Sequence, residues 1–148
     1  TISKYDGSIF VEKEFPHIEY LADGPAVYNF KSYKTLSLPG AYSVDKYYRL
    51  ARHLTWYEDE QLDEKEMELG RKLCRNEAPF DLVLSHTCPY LYEPTDLFLA
   101  GLDQSTVDST MERYLGEIEF NLDYKRWAFG HFHADRLYPW ADECGTKA

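Results

Sequence analysis

The sequence predicts a mixed α/β domain, a β-sheet with flanking helices, and three observations carry that prediction. Residues 18–38 alternate apolar and polar positions around turn signals, as a β-meander does. Two helix-then-strand units follow, each ending in a short apolar run. The 148 residues, 44% of them hydrophobic and 16% aromatic, suffice to fill one core but not two. With only 8 Gly and 7 Pro, and no repeat or low-complexity tract, the chain lies far from disordered or collagen-like compositions.

In the meander, Ile18 and Tyr20 alternate with polar neighbours, Asp23-Gly24-Pro25 turns, Ala26 to Phe30 alternates, Lys31-Ser32 turns, and Lys34 to Leu38 follows. Ser43 is placed to cap a short helix over roughly 44–53, with Tyr47, Leu50, Ala51 and Leu54 on one stripe. The acidic stretch from Glu58 leads into a second helix, where Asp63 and Glu66 have capping-box spacing and Leu62, Met67, Leu69, Leu73 and Cys74 supply apolar positions. Arg71, Lys72 and Arg75 in its last turns suit the helix dipole.

Asp81 to Ser85 is apolar without alternation, as expected of a strand covered on both faces, and His86 comes directly off its end. Residues 87–104 form a long irregular connection, of the length that tends to be functional. Ser105 with Asp108 then opens a third helix, in which Val107, Met111, Tyr114, Leu115, Ile118 and Leu122 repeat at helical spacing. Arg126 to Phe129 reads as another buried strand, with Gly130-His131-Phe132-His133 at its end.

Charge and cysteine usage exclude several classes of function. The net charge of −10 repels a phosphate backbone, so long nucleic acid is not an expected partner. The 13 tyrosines are scattered and read as packing residues, not a base-stacking platform. No apolar run of about 18 residues and no leader pattern occurs, which predicts a cytoplasmic protein with no membrane partner. Cys74, Cys88 and Cys144 form neither a disulfide framework nor a zinc ribbon. No Arg follows Cys88 where a cysteine-dependent phosphatase needs its phosphate cradle, so each cysteine is expected to be a reduced, packed thiol.

Chemistry concentrates in the histidines. Three of five sit where a predicted strand ends, and in open α/β sheets the carboxyl ends of strands are where ligands bind. In an extended segment His131 and His133 project to one side while Phe132 turns inward, and Gly130 lets the backbone bend. Three neutral imidazoles suit zinc, iron, manganese or nickel better than calcium or magnesium. A lone His-x-His is weakly specific, and Ser85-His86 alone is compatible with a ring that caps a carbonyl. The coincidence of both at strand ends is what singles them out. His17 and His53 carry no such context and are assigned no role.

Leu84-Ser85-His86-Thr87-Cys88-Pro89 followed by Phe129-Gly130-His131-Phe132-His133 resembles the last two metal-binding motifs of calcineurin-like metallophosphoesterases. Gly40-Ala41-Tyr42-Ser43-Val44-Asp45-Lys46-Tyr47 resembles the stretch that precedes them in bacterial and phage members. The resemblance runs from about Ile18 to Asp135. It implies an α/β/β/α sandwich around a binuclear centre of two divalent ions (Mn, Fe or Zn) that hydrolyses phosphoric esters. His86 and His131 would ligate the second metal and His133 the first, with Tyr42, Asp45 and Tyr90 lining the cleft.

The family's first three motifs, Asp-x-His, Gly-Asp-x-x-Asp and Gly-Asn-His-Glu, are absent from residues 1–148. The chain is therefore expected to be the C-terminal portion of one such domain. The bridging Asp and the catalytic His would then lie in an N-terminal half that is its first partner. Three neutral imidazoles offset none of the four positive charges of two divalent ions, so at most one metal is expected on this chain alone, with little or no hydrolysis. An uncovered sheet edge and face would favour pairing with that half or homo-oligomerisation. The implied substrate is phosphorylated, either a phosphoprotein or nucleotide-like. Two alternatives are a non-catalytic regulatory or scaffold relative and a mononuclear three-histidine zinc hydrolase.

Overall fold

The computed structural model describes residues 1–98 and 105–138. Cys144 and the later part of the predicted 87–104 connection lie outside the described residues.

The described residues form a mixed α/β fold with two sheets. Strands β1 (Ile2–Lys4), β2 (Gly7–Phe10) and β3 (Tyr20–Leu21) make a small antiparallel sheet. Strands β4 (Ala26–Phe30), β5 (Tyr33–Leu38), β6 (Leu82–Ser85) and β7 (Trp127–Phe129) make a four-stranded sheet in that order. The β4–β5 pair is an antiparallel hairpin turning at Lys31, which takes a left-handed φ of 59°. The β5–β6 and β6–β7 pairs are parallel. Parallel neighbours need a crossover, and helices α2 (Glu64–Glu77) and α3 (Thr110–Asn121) lie in the two crossovers. Helix α1 (Lys46–Ala51) precedes them.

Register divides the large sheet into two unlike faces. Leu36, Val83 and Trp127 lie side by side on one face, as do Leu38, Ser85 and Phe129. Against them α2 and α3 bring Met67, Met111, Tyr114, Leu115, Ile118 and Leu122, and together with Phe80 these form the core. The other face carries Thr35, Ser37, Leu82, Leu84 and Ala128. The small sheet covers its β4–β5 side: fully buried Tyr28 donates its hydroxyl to the Ser8 carbonyl (2.8 Å) and accepts from the Ala22 N–H (2.8 Å). Over β6 and β7 the cover thins, leaving Leu82 and Leu84 half-buried and Ala128 exposed. The expectation of a β6 covered on both faces holds for Val83 and only in part for its neighbours.

The predicted capping box of α2 is present. The Asp63 carboxylate accepts from the Glu66 N–H and the Glu66 carboxylate accepts from the Asp63 N–H, both at 2.9 Å. Mid-helix Gly70 is there for space. A Cβ would come within 2.0 Å of the Tyr114 hydroxyl, which is fixed by donation to the Met67 carbonyl (3.1 Å). Helix α3 starts later than its spacing predicts, at Thr110, whose N–H donates to the Asp108 carboxylate (2.9 Å).

Helix α1 departs further from expectation. Its N-cap residue is Asp45, not Ser43, with no side-chain cap bond, and none of its residues is buried. Tyr47, Leu50 and Leu54, read as an inward stripe, point to solvent. No helix among the described residues is long and apolar enough to cross a membrane.

Candidate functional site: a histidine pair at the strand ends

The ladder between β6 and β7 runs one step past both strands, because the Gly130 N–H donates to the His86 carbonyl (3.0 Å). That bond sets the two chains side by side where they leave the sheet. His131 Nδ1 and His86 Nε2 consequently lie 3.2 Å apart, with the rings nearly edge to face.

His86 is held from both flanks. The Trp127 indole donates to the Ser85 hydroxyl (2.7 Å), which donates to the Thr87 carbonyl (2.6 Å). Thr87, fully buried, donates its hydroxyl to the Glu112 carboxylate on α3 (2.7 Å). The second Glu112 oxygen is buried with no partner among the described residues. Fixing both neighbours fixes the backbone that aims the exposed imidazole.

The turn after β7 differs from the extended arrangement expected for residues 130–133. His131 (φ 66°) and His133 (φ 52°) are both left-handed, and the Phe132 N–H donates back to the Gly130 carbonyl (2.8 Å). The bend therefore falls on the histidines and not on Gly130, where an added Cβ would meet the His86 carbonyl at an ordinary 3.9 Å. Left-handed backbone costs a non-glycine residue about 1 kcal/mol or more and concentrates at functional sites. His131 goes to His86, while His133 stays exposed, and no group of three or more His, Cys, Asp or Glu that could hold a metal is gathered among the described residues.

Burial, with the neighbouring His86 and His133, holds the His131 imidazole below its usual pKa; Glu60 opposes them. Its neutral, ligand-competent form is thus favoured. Glu60 is a residue that sequence reading missed. Its carbonyl accepts from the Ala41 N–H and its carboxylate from the Ser43 N–H, both at 3.0 Å. Gly40 permits this approach: at φ 98° a Cβ would sit 3.2 Å from the Glu60 carbonyl. Within the acidic run 58–60 no signal marked it out.

Of the three residues expected to line the cleft, Tyr42 is buried near Glu60. Burial, and the nearby Tyr47, Asp108 and Glu60, raise its pKa. Asp45 is turned along α1, accepting from Arg49 Nε at 2.8 Å. Tyr90 is half-exposed in a short 3-10 turn, its ring under the Arg113 guanidinium at 5.0 Å. Neither cysteine among the described residues suits nucleophilic work. Burial, with Glu93 and Glu112 nearby, pushes Cys88 up to about 12, and burial pushes Cys74 up to about 11. On the helix face beside the pair, a cavity of about 320 Å³ is lined by Tyr92, Trp127, Phe129, Phe132 and Tyr138.

Two imidazole nitrogens on one tetrahedral zinc, at metal–nitrogen distances of 2.0–2.1 Å, stand roughly 3.3–3.4 Å apart, close to the 3.2 Å between His131 Nδ1 and His86 Nε2, a separation that equally suits an N–H···N hydrogen bond. Comparison with known protein families, curated proteins and solved structures found no match for this chain.

Proposed function

We propose that the chain is the histidine-bearing part of a metal-dependent phosphoesterase of the calcineurin-like kind, an α/β/β/α sandwich whose bridging carboxylate comes from outside residues 1–148. One observation carries the reading: two imidazoles meet at metal-ligand separation at the carboxyl ends of adjacent parallel strands. His86 and His131 would hold the ion. A bound divalent cation supplies charge stabilisation for a phosphoryl group and an activated water. The protein's own part is to favour neutral His131 by burial and to aim His86 through the Ser85 and Thr87 bonds. The thinly covered β6–β7 face, with Leu82 and Leu84 half-buried, is where a second sheet would pack.

Isothermal titration of the purified chain with Zn²⁺ and with Mn²⁺ tests this reading. We expect one ion per chain, with affinity falling at least tenfold in His86→Ala and in His131→Ala, and little hydrolysis of p-nitrophenyl phosphate by the chain alone. Equal binding by wild type and both variants, or none at millimolar metal, would leave the pair as a hydrogen-bonded cap and sink the assignment.

A further inference from the structure

The cavity beside the histidine pair, about 320 Å³ in volume, is walled by six aromatic rings, those of Tyr92, Tyr124, Trp127, Phe129, Phe132 and Tyr138. All six are half-buried, so ring surface stays open to the cavity. The volume lies at the small end of the range for small-molecule sites, about 300–1,000 Å³. A compact group therefore suits it.

The rings stand at angles to one another. Tyr124 meets Trp127 edge to face at an interplanar angle of 81°, and Tyr138 is tilted by 58° from Tyr92 and by 34° from Phe129. Such walls make a box, whereas a flat ligand ring stacks best in a slot with parallel sides.

The polar tips of these walls are turned to other partners. The Tyr92 and Tyr124 hydroxyls donate to the Glu119 carboxylate at 3.4 and 3.0 Å, the Tyr138 hydroxyl to the Tyr92 carbonyl at 2.7 Å, and the Trp127 indole to the Ser85 hydroxyl at 2.7 Å. Burial first, and then Glu119, raise the pKa of both Tyr92 and Tyr124, which keeps their hydroxyls protonated and donating. A ligand that needs hydrogen-bond donors, such as a nucleobase or a carboxylate, finds these four already engaged.

What the walls offer instead is negative potential. An aromatic ring is negative over its face, and Glu119, only 6% exposed, sets its carboxylate behind two of the rings. The one cationic side chain among the described lining residues, Arg136, is held by Asp96 through two bonds of 2.7 Å.

We propose that this cavity binds a quaternary ammonium group, of the kind choline carries, through cation–π contact with the aromatic walls and the field of the Glu119 carboxylate. Such a cation has no N–H to satisfy, so it needs none of the engaged polar groups. The site adjoins the histidine pair without sharing its nitrogens: Phe132 lines the cavity, and its ring packs against the His131 ring at 5.0 Å. The inference does not depend on the phosphoesterase reading.

Isothermal titration of the whole chain with choline chloride in EDTA tests it, with neohexanol as the uncharged isostere of choline and indole as the flat competitor. We expect saturable heat with choline, at an affinity at least about tenfold above that for neohexanol. Affinity should fall about tenfold in Tyr138→Leu, which removes one half-buried ring. It should fall about threefold in Glu119→Gln, which keeps an acceptor for the two tyrosines and removes the charge. Circular dichroism confirms that the variants fold, and Tyr138→Leu keeps the test intact if Glu119→Gln does not. Absent heat at choline concentrations on the order of 10 mM, neohexanol or indole binding as tightly as choline, or a folded variant that binds like wild type would overturn the inference. Metal is chelated and no phosphoryl group is present, so this titration and the metal titration fail separately.

Discussion

Helices α3 and α1 carry the same kind of sequence pattern and meet opposite fates. Each shows apolar residues at helical spacing; α3 buries Met111, Tyr114, Leu115 and Ile118 among others, and α1 buries nothing. The difference lies in which helix of each crossover reaches the sheet. In the crossover between parallel strands β6 and β7 it is α3. Helix α1 shares the β5–β6 crossover with α2, which supplies the buried Met67, while a turn at Gly40 and the Glu60 bonds return the chain to the sheet without α1. Hydrophobic periodicity thus reports that a helix has a face to bury, and topology decides whether this chain supplies the cover.

The sharpest way to break that comparison is to empty the same volume from the buried helix. Leu115 is fully buried within the core cluster, against the helix face of the sheet. Leu115→Ala should cost about 2–5 kcal/mol, the sum of lost transfer energy and the cavity left behind. Urea denaturation followed by circular dichroism would show it as a lowered midpoint at similar slope. A loss under about 1 kcal/mol would mean that α3 is not seated as described.

A smaller effect separates the helices by their ends. Helix α2 has a reciprocal capping box at Asp63 and Glu66, whereas α1 has Asp45 at its N-cap without a side-chain bond. Asp63→Ala should therefore cost about 1 kcal/mol and Asp45→Ala distinctly less, its carboxylate serving only the exposed pair with Arg49. Equal losses in paired denaturation curves would show that the box carries no stability.

What the sequence made legible follows the same division between local and non-local causes. The β4–β5 hairpin, β6, β7 and the capping box of α2 were readable because alternation, apolar runs and cap spacing are local signals. Strands β1 and β2 were not, since Ile2–Lys4 and Gly7–Phe10 are short and mostly exposed. At the site, two histidines at strand ends could be foreseen from helix-strand alternation, because consecutive crossovers place their strands next to each other. The left-handed turn that carries His131 and His133 could not, because a left-handed φ on two non-glycine residues is imposed by surroundings and not announced by residue type. Nor could Glu60, whose position depends on the close approach at Gly40.

The smallest effect is also the most specific. Leu50 and Leu54 stand 46% and 49% exposed, so replacing both with serine removes side chains that fold stability does not draw upon. Leu50→Ser/Leu54→Ser should shift the unfolding free energy by no more than about 0.5 kcal/mol, against the several expected for one leucine on α3. Urea denaturation of the double variant reads this directly. A loss of 2 kcal/mol or more, on the order of a core truncation, would place Leu50 and Leu54 inside the fold and remove the contrast between the two helices.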